Sequence, residues 1–433
     1  MRIYTCTPVA FGGGADFFAR DSGLLCRGLQ AIGIESRAVM PGERKLEDEA
    51  DLIRTDYHNL ESSEWWRLQQ LDGLVLYAWG RPKFSKVAAA IRSAGVFLIL
   101  NQDSAGMVSP RVGWCDWLQA QWIYGGQGRN ARAWIRFLKL AIRGITVELL
   151  LSDALRSRHL SQGNVIACVS PVAVERYRRL CWVYEGEELA SRVKLLPHSV
   201  ESMFEVAENS LPGCLRARTS SLDSTMPSAS CRQDGRSPGQ ARSLSSILGK
   251  QRQVVCVGRW QDHIQKRTWL LMEVMDQLLL DDPTVTVVVA GRATPEMEIW
   301  HASKTPGLRK RIRIMGMMNR EELAALLRDS QIFYSPSAYE SFGIAAAEAL
   351  CSGCSVVAGR LVTMPSFEWF ASEKSGQLTD LDNTAGHVES LLAELDAWQN
   401  GERDAAEISQ IWSQRLHADK VAETVVGMMD RGC

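Results

Sequence analysis

Ser335-Pro336-Ser337-Ala338-Tyr339-Glu340-Ser341-Phe342-Gly343-Ile344 runs on through three alanines to Glu348-Ala349-Leu350 and Gly353. The stretch reads as the end of a strand (Ile332–Ser335), a turn carrying Glu340, and a helix over Phe342–Leu350. In open α/β sheets, ligands bind beyond the carboxyl ends of the strands, which places Glu340 on the functional rim. The N–H groups at such a helix start, here Phe342 to Ile344, have no intrahelical partner. Together with the helix dipole they favour a phosphate. Glu348 follows two turns on, roughly 12 Å along the axis at about 1.5 Å per residue.

Working outward, Val254–Trp260 is a β-branched apolar run and Thr268–Leu280 has helical spacing. Thr284–Ala290, Ile312–Met315 and Ser355–Ala358 are further strands, and Asn319 opens a helix with Glu322 three residues on, a capping box. Strands alternating with helices predict βαβ units and a parallel sheet covered on both faces. Gly258-Arg259-Trp260 follows the first of these strands, so Arg259 belongs to the same rim, and Lys266 comes seven residues later. A guanidinium fork and an ammonium point charge converging there suit a diphosphate.

The N-terminal half repeats the grammar less cleanly. Arg2–Val9 reads as a first strand, Gly12, Gly13 and Gly14 as a turn, and the chain to about Ile32 as a helix; Leu74–Tyr77, Val96–Leu100 and Val165–Val169 are further strands. The glycine triplet is not a phosphate-binding Walker loop, because no Gly-Lys-Ser/Thr follows; on its own it reads as a tight turn that uses glycine's conformational freedom. Between the halves, ten serines fall between Ser210 and Ser246 with few large apolar residues. That composition cannot bury enough surface to offset ordering entropy, so it reads as a flexible insert and a passive linker. The expected organisation is 1–204, 205–250 as insert, 251–405, and 406–433 as a closing helix. The fold class is α/β, with two facing Rossmann-like doubly wound domains and a cleft between them.

Glu340-x7-Glu348 inside S-P-S-x-x-E-S-F-G-I-x-x-x-E-A-L-x-x-G, with G-R-x6-K upstream, resembles the large family of retaining GT-B glycosyltransferases (glycosyltransferase family 4-like, glycosyl transferases group 1). The resemblance is close from Val254 to Ala358. It implies a donor diphosphate held by Arg259 and Lys266, sugar hydroxyls contacted by Glu340, and backbone N–H groups of Ser341, Phe342, Gly343 and Ile344 on the diphosphate and sugar. It further implies ribose hydroxyls on Glu348, a base packed in the region of Met315 to Met318, and Gly13 and Gly14 in a loop that closes over the donor. Leu196-Pro197-His198-Ser199-Val200 resembles the family's Pro-Asn-Gly-Val segment, and Ile408–Met429 its helix crossing back to the first domain. Two departures stand out. Leu100-Asn101-Gln102-Asp103-Ser104 holds no histidine where many relatives place one, leaving Asp103 for that role, and Arg267 replaces the usual glycine after the lysine.

The expected activity is therefore transfer of a hexosyl unit from a nucleoside-diphosphate sugar to a carbohydrate, lipid or small-molecule acceptor. In the family the anomeric configuration is retained, with positive groups rather than a metal stabilising the leaving diphosphate and no cofactor beyond the donor. The alternatives are a non-catalytic partner subunit and a nucleotide-sugar epimerase on the same fold.

Composition agrees with that class. Formal net charge is −1 over 433 residues, which gives no global field for nucleic acid. No run of 18 apolar residues or secretory apolar region appears, and eleven scattered cysteines suit a reducing, cytoplasmic setting. Cys351 and Cys354 read as small packing residues rather than half a zinc site. Asp380 and Asp382 read as a surface loop rather than a metal-binding Asp-x-Asp. Arg129, Arg132, Arg136, Lys139 and Arg143 line one helix face with apolar residues between them. This reads as a solvated face over an ordinary core, the alternative being peripheral contact with an anionic membrane on the inner face of a bilayer.

Overall fold

The computed structural model describes residues 1–103, 109–127, 130–206, 250–372 and 374–430. Ser104, Arg129 and nearly all of the expected insert at 205–250 lie outside the described residues.

Among the described residues, two parallel sheets organise the chain. The first has seven strands in the order β3-β2-β1-β4-β5-β6-β7. They are β1 (Ile3–Cys6), β2 (Ala38–Pro41), β3 (Leu52–Thr55), β4 (Gly73–Leu76), β5 (Phe97–Gln102), β6 (Val165–Cys168) and β7 (Val193–Leu195). The second has six, in the order β10-β9-β8-β11-β12-β13. They are β8 (Gln251–Val257), β9 (Thr286–Ala290), β10 (Ile312–Gly316), β11 (Ser330–Ser335), β12 (Ser355–Gly359) and β13 (Gly376–Thr379). Every strand pair is parallel. The central strands β11 and β12 are buried along their whole length, with the apolar centres Ile332–Tyr334 and Val356–Ala358 flanked by the buried polar residues Ser330, Gln331, Ser335 and Ser355. Strand order reverses between β1 and β4 in one sheet and between β8 and β11 in the other. At such switch points the loops diverge and leave a crevice.

The helices that matter below are α1 (Ala15–Phe18), α2 (Asp21–Ala31), α3 (Trp114–Gly125), α4 (Ala131–Arg143) and α5 (Pro171–Glu185) in the first half. In the second half they are α6 (Thr268–Asp281), α7 (Arg320–Asp329), α8 (Ile344–Cys351), α9 (Pro365–Phe370), α10 (Thr384–Gln399), α11 (Ala405–Leu416) and α12 (Ala418–Asp430). The capping box expected at Asn319 is present: its side chain accepts from Glu322 N–H at 2.8 Å and the glutamate returns a bond to Asn319 N–H at 3.0 Å.

Several boundaries differ from the sequence reading. The first strand is four residues rather than eight, and the helix after the glycines is split between α1 and α2, where Asp21 takes a positive φ of 50°. The helix after Glu340 starts at Ile344 instead of Phe342, because Gly343 turns left-handed at φ 88° to cap it. The closing helix is two helices. His417 is extended between them and bridges to Val200, while Val200 N–H donates to Leu416 O at 2.7 Å. Beyond that break, Val421, Ala422, Val425 and Met429 of α12 share a core with Leu25 and Leu29 of α2 and Val75 of β4.

The largest correction concerns α4. Its apolar residues do not lie over an ordinary core: only Ala133 is buried, while Trp134, Ile135, Leu138 and Ile142 face solvent. Among the described residues, no helix is long and apolar enough to cross a membrane.

Candidate active site

The β8–β11 switch point gathers the C-terminal residues singled out from sequence. Trp260, almost fully buried, donates its indole N–H to Ala290 O at 2.9 Å and so fixes the turn that holds Arg259. The Arg259 side chain is exposed and has no ion-pair partner among the described residues. It lies close enough to Tyr339 for its charge, with that of Glu340, to be felt at the phenol. Lys266 ends a short helical turn after β8 and pairs directly with Glu340; its ammonium also reaches Ser337 Oγ at 3.4 Å, and that hydroxyl donates to Glu340 at 2.9 Å. The expected cations and the rim glutamate thus occupy one end of one sheet.

Gly343 is required here for two reasons. Its φ of 88° is a left-handed conformation, and a Cβ would stand 2.9 Å from the Phe367 ring. Among the described residues, the N–H groups of Phe342, Gly343 and Ile344 have no backbone partner, so they remain available to an anion. Phe342 is buried against Phe370, with ring centroids 5.2 Å apart.

Arg267 explains its departure from glycine. It too is left-handed, at φ 43°, and its guanidinium is buried, donating to both oxygens of Asp382 at 2.8 and 2.7 Å and to Ser337 O at 3.1 Å. Asp382 therefore belongs to the scaffold beneath the rim rather than to a surface loop. Burial pushes its carboxyl up, but His387 and Arg267 outweigh this and lower it to about 2. Asp380 stays exposed and pairs with Arg360. Cys351 and Cys354 are buried thiols.

Glu348 is buried, and its carboxylate meets Arg320 at 2.8 Å; Arg320 also pairs with Glu201 from the segment joining the halves. Burial pushes the Glu348 carboxyl above its ordinary range, while Arg320 pulls the other way and Arg20, from the first half, adds its own positive charge. Met315 is exposed near the carboxyl end of β10, the edge strand, and Met318, two residues past that end, is packed against the core.

From the first sheet, Gly13 and Gly14 follow β1. Neither has a positive φ. What Gly13 needs is space, since a Cβ would sit 2.2 Å from both Asp48 and Leu52, so close approach rather than conformational freedom selects glycine. Gly14 lines a cavity of about 750 Å³ together with Thr7, Asp16, Arg20, Asp21 and Tyr77.

Asp103, at the end of β5, reaches across the cleft. Its carboxylate lies 3.3 Å from His198 Nε2, an ion-pair distance without hydrogen-bond alignment, and the Ser341 side chain is near enough to favour its charged form. His198 Nδ1 is 3.6 Å from Asp21, and the imidazole stacks on Tyr77 and meets Phe342 edge-on. Burial alone would lower the imidazole, but Asp103 and Asp21 outweigh it and hold it up at about 9. Burial likewise pushes Asp103 up, and His198 and Ser341 bring it below the usual carboxylate range. A histidine thus stands in the cleft after all, carried by the Leu196–Val200 segment instead of the end of β5. Sequence reasoning quoted His198 but gave it no role, and it missed Arg20 altogether. The available signal was a histidine at a position expected to hold asparagine.

Comparison with known proteins follows the same division. Residues 251–394 match the family model described as Glycosyl transferases group 1. A GDP-mannose:cellobiosyl-diphosphopolyprenol alpha-mannosyltransferase of Xanthomonas campestris is 28% identical over 157 residues, 36% of this chain and 40% of that protein. A D-inositol 3-phosphate glycosyltransferase of Corynebacterium efficiens is 34% identical over 150 residues, 33% of this chain and 34% of that protein. The chain thus aligns with two fifths or less of these relatives' own lengths. Likeness of fold covers everything. HepE of Anabaena, solved in complex with UDP, superposes with a TM-score of 0.57 at 14% identity over 100% of both chains. WaaG, a glycosyltransferase involved in lipopolysaccharide biosynthesis, superposes with a TM-score of 0.53 at 14% identity over 98% of this chain and 100% of that one. The two facing Rossmann-like sheets are the GT-B fold.

Proposed function

We propose that the chain is a glycosyltransferase that moves a hexosyl unit from a nucleoside-diphosphate sugar to a glycan, lipid or small-molecule acceptor with retention of anomeric configuration, using no cofactor beyond the donor. The observation that carries this reading is the convergence of Arg259, the Lys266–Glu340 pair and the open N–H groups at Gly343 on one switch point. The names of the matched relatives, and the UDP bound by a protein of the same fold, support a donor of this class.

In this reading the diphosphate lies over the Gly343 helix start, with Arg259 and Lys266 opposing the charge that develops as the bond between the anomeric carbon and the phosphate oxygen breaks. The acceptor oxygen bonds to that carbon on the same face, and its proton passes to the departing phosphate oxygen. Glu340 orients the sugar hydroxyls, Glu348 accepts from the ribose, and the Met315–Met318 segment packs against the base. Asp103, joined to His198 and Ser341, holds the first half at the reacting carbon, and Gly13 and Gly14 bring their loop over the donor.

The test is release of nucleoside diphosphate from UDP- and GDP-sugars in the presence of candidate acceptors, with the product's anomeric configuration read by NMR. Release with retention is expected. Binding of nucleoside diphosphate without any turnover would indicate a partner subunit, and epimerisation of the free donor an epimerase. Inversion would remove the retaining clause.

A further inference from the structure

Helix α4 and the π-helical stretch Gly144–Ser152 that continues it expose a row of large apolar side chains. Trp134, Ile135, Leu138, Ile142 and Ile145 are each between 48% and 61% exposed. At about 100° per residue they fall within one stripe roughly 100° wide. Arg132, Arg136, Lys139 and Arg143 fall in a narrower row beside it. The face turned to the protein carries Ala133, Phe137 and Gly144, and the Phe137 ring meets Trp122 edge-on with centroids 5.3 Å apart. Ala133 is buried, and a Cβ on Gly144 would lie 1.9 Å from the Trp117 ring. The helix is seated through Ala133, Phe137 and Gly144, and although Trp134 rests edge-on against Trp122 with centroids 4.6 Å apart, the stripe stays about half exposed.

We propose that this face docks on the surface of an anionic lipid bilayer, with the apolar stripe at the headgroup–acyl boundary and the basic row on the lipid phosphates. Charge selects this occupant. No Asp or Glu occurs between Asp116 and Glu148, so a symmetric second copy would set the cationic row against its own like with no acid on the face to offset it. A bilayer rich in anionic headgroups supplies the complement. The geometry also gives the contact a use. Arg132 and Arg136 line a cavity of about 290 Å³ with His263 and Arg267, and Arg136 is close enough to Tyr339 to act on its phenol. The basic row therefore leads from the apolar stripe to the mouth of the donor cleft. Resting on the transferase reading, this makes the acceptor a lipid presented at the membrane surface.

Sedimentation with vesicles of phosphatidylglycerol and phosphatidylcholine, against phosphatidylcholine alone, tests the proposal. The full chain is expected to pellet with the anionic vesicles at moderate salt and to stay in solution with the neutral ones. Lys139→Gln and Arg143→Gln should each weaken binding roughly fivefold, the equivalent of about 1 kcal/mol per basic residue near the surface. The double variant Leu138→Asp/Ile142→Asp should abolish it. Because these side chains already face solvent, its melting temperature and its stabilisation by nucleoside diphosphate should be unchanged, with Leu138→Ser/Ile142→Ser as the milder substitute. Failure of the intact chain to bind anionic vesicles, or undiminished binding by the aspartate variant, overturns the proposal. So does a dimer, seen by light scattering, that the same variant splits while vesicles are ignored. None of these outcomes touches the donor site, whose failure would appear as loss of stabilisation by nucleoside diphosphate.

Discussion

Arg259 and Lys266 carry the same charge in opposite settings. Arg259 is exposed and unpaired among the described residues, whereas Lys266 is held by Glu340 and Ser337. Replacing an exposed side chain that holds nothing changes stability by no more than about 0.5 kcal/mol. Loss of one group aimed at developing charge slows turnover on the order of 100- to 1000-fold. Arg259→Ala is thus expected to melt with the parent chain and to release nucleoside diphosphate that much more slowly; near-normal release would take Arg259 out of the diphosphate site. His198 yields a prediction of another kind. Its folded-state value near 9 lies above the ordinary 6.5, so the charged imidazole stabilises the folded protein. That contribution is complete below pH 6.5 and is lost as pH rises through about 9. Urea unfolding across this window should show stability falling for the parent chain and a flatter profile for His198→Asn. Equal slopes would mean that the Asp103 contact does not hold a proton on the ring.

At the scale of elements, the turn between β8 and α6 shows how a residue that looks out of place is made to fit. A left-handed arginine is strained, and Arg267 is kept there by two carbonyls and a carboxylate. Removing one partner of a buried pair strands the other charge, at a cost of about 3–5 kcal/mol. Asp382→Ala should lose stability of that order in denaturant titration, and Arg267→Gly in the same background should recover much of it, because glycine accepts the turn and takes the charge away. A loss below about 1 kcal/mol for Asp382→Ala would show that the pair is not what holds the rim. The same turn marks what sequence could and could not reveal. β11 and β12 were legible because a strand buried on both faces is apolar through its centre, whereas the left-handed turn at Gly343 was not, since a glycine inside an apolar helical pattern does not say where the helix begins. The Arg267–Asp382 pair was not, since 115 positions separate its partners and nothing local records the contact. Nor was the free side of α4. A periodic apolar and basic pattern fixes which residues share a face, but says nothing of which face meets the protein. His198 went unassigned because its partners, Asp21 and Asp103, come together only once both sheets have formed.

At the scale of the whole molecule, the halves are tied by the last helices and by the segment from Leu196 to Val206. Glu201 in that segment and Glu348 of α8 share Arg320, and Arg328 donates to Met203 O at 2.6 Å, so the connection is anchored to the second half. Past His417 the chain returns its last helix to the first half. There Gly28 of α2 lies so close that a Cβ would stand 2.1 Å from Ala418 O, and Gly73 of β4 gives room to Met429. Val421, Val425 and Met429 are buried in that contact. At about 1.5–3 kcal/mol for each large side chain, their burial contributes about 5–9 kcal/mol. A domain's entire stability is about 5–15 kcal/mol. Deletion of residues 418–430 should therefore do more than loosen an end: it should split thermal unfolding into an early transition of the first half and a later one of the second. Only the later transition should move upward with added nucleoside diphosphate, by an amount equivalent to about 2.7 kcal/mol at roughly 100 times the dissociation constant. Gly28→Val should produce the same split in a full-length chain by forcing α12 off α2. If the truncated protein instead melts once, at the parent temperature, the last helix is a passenger and the first half stands on its own core.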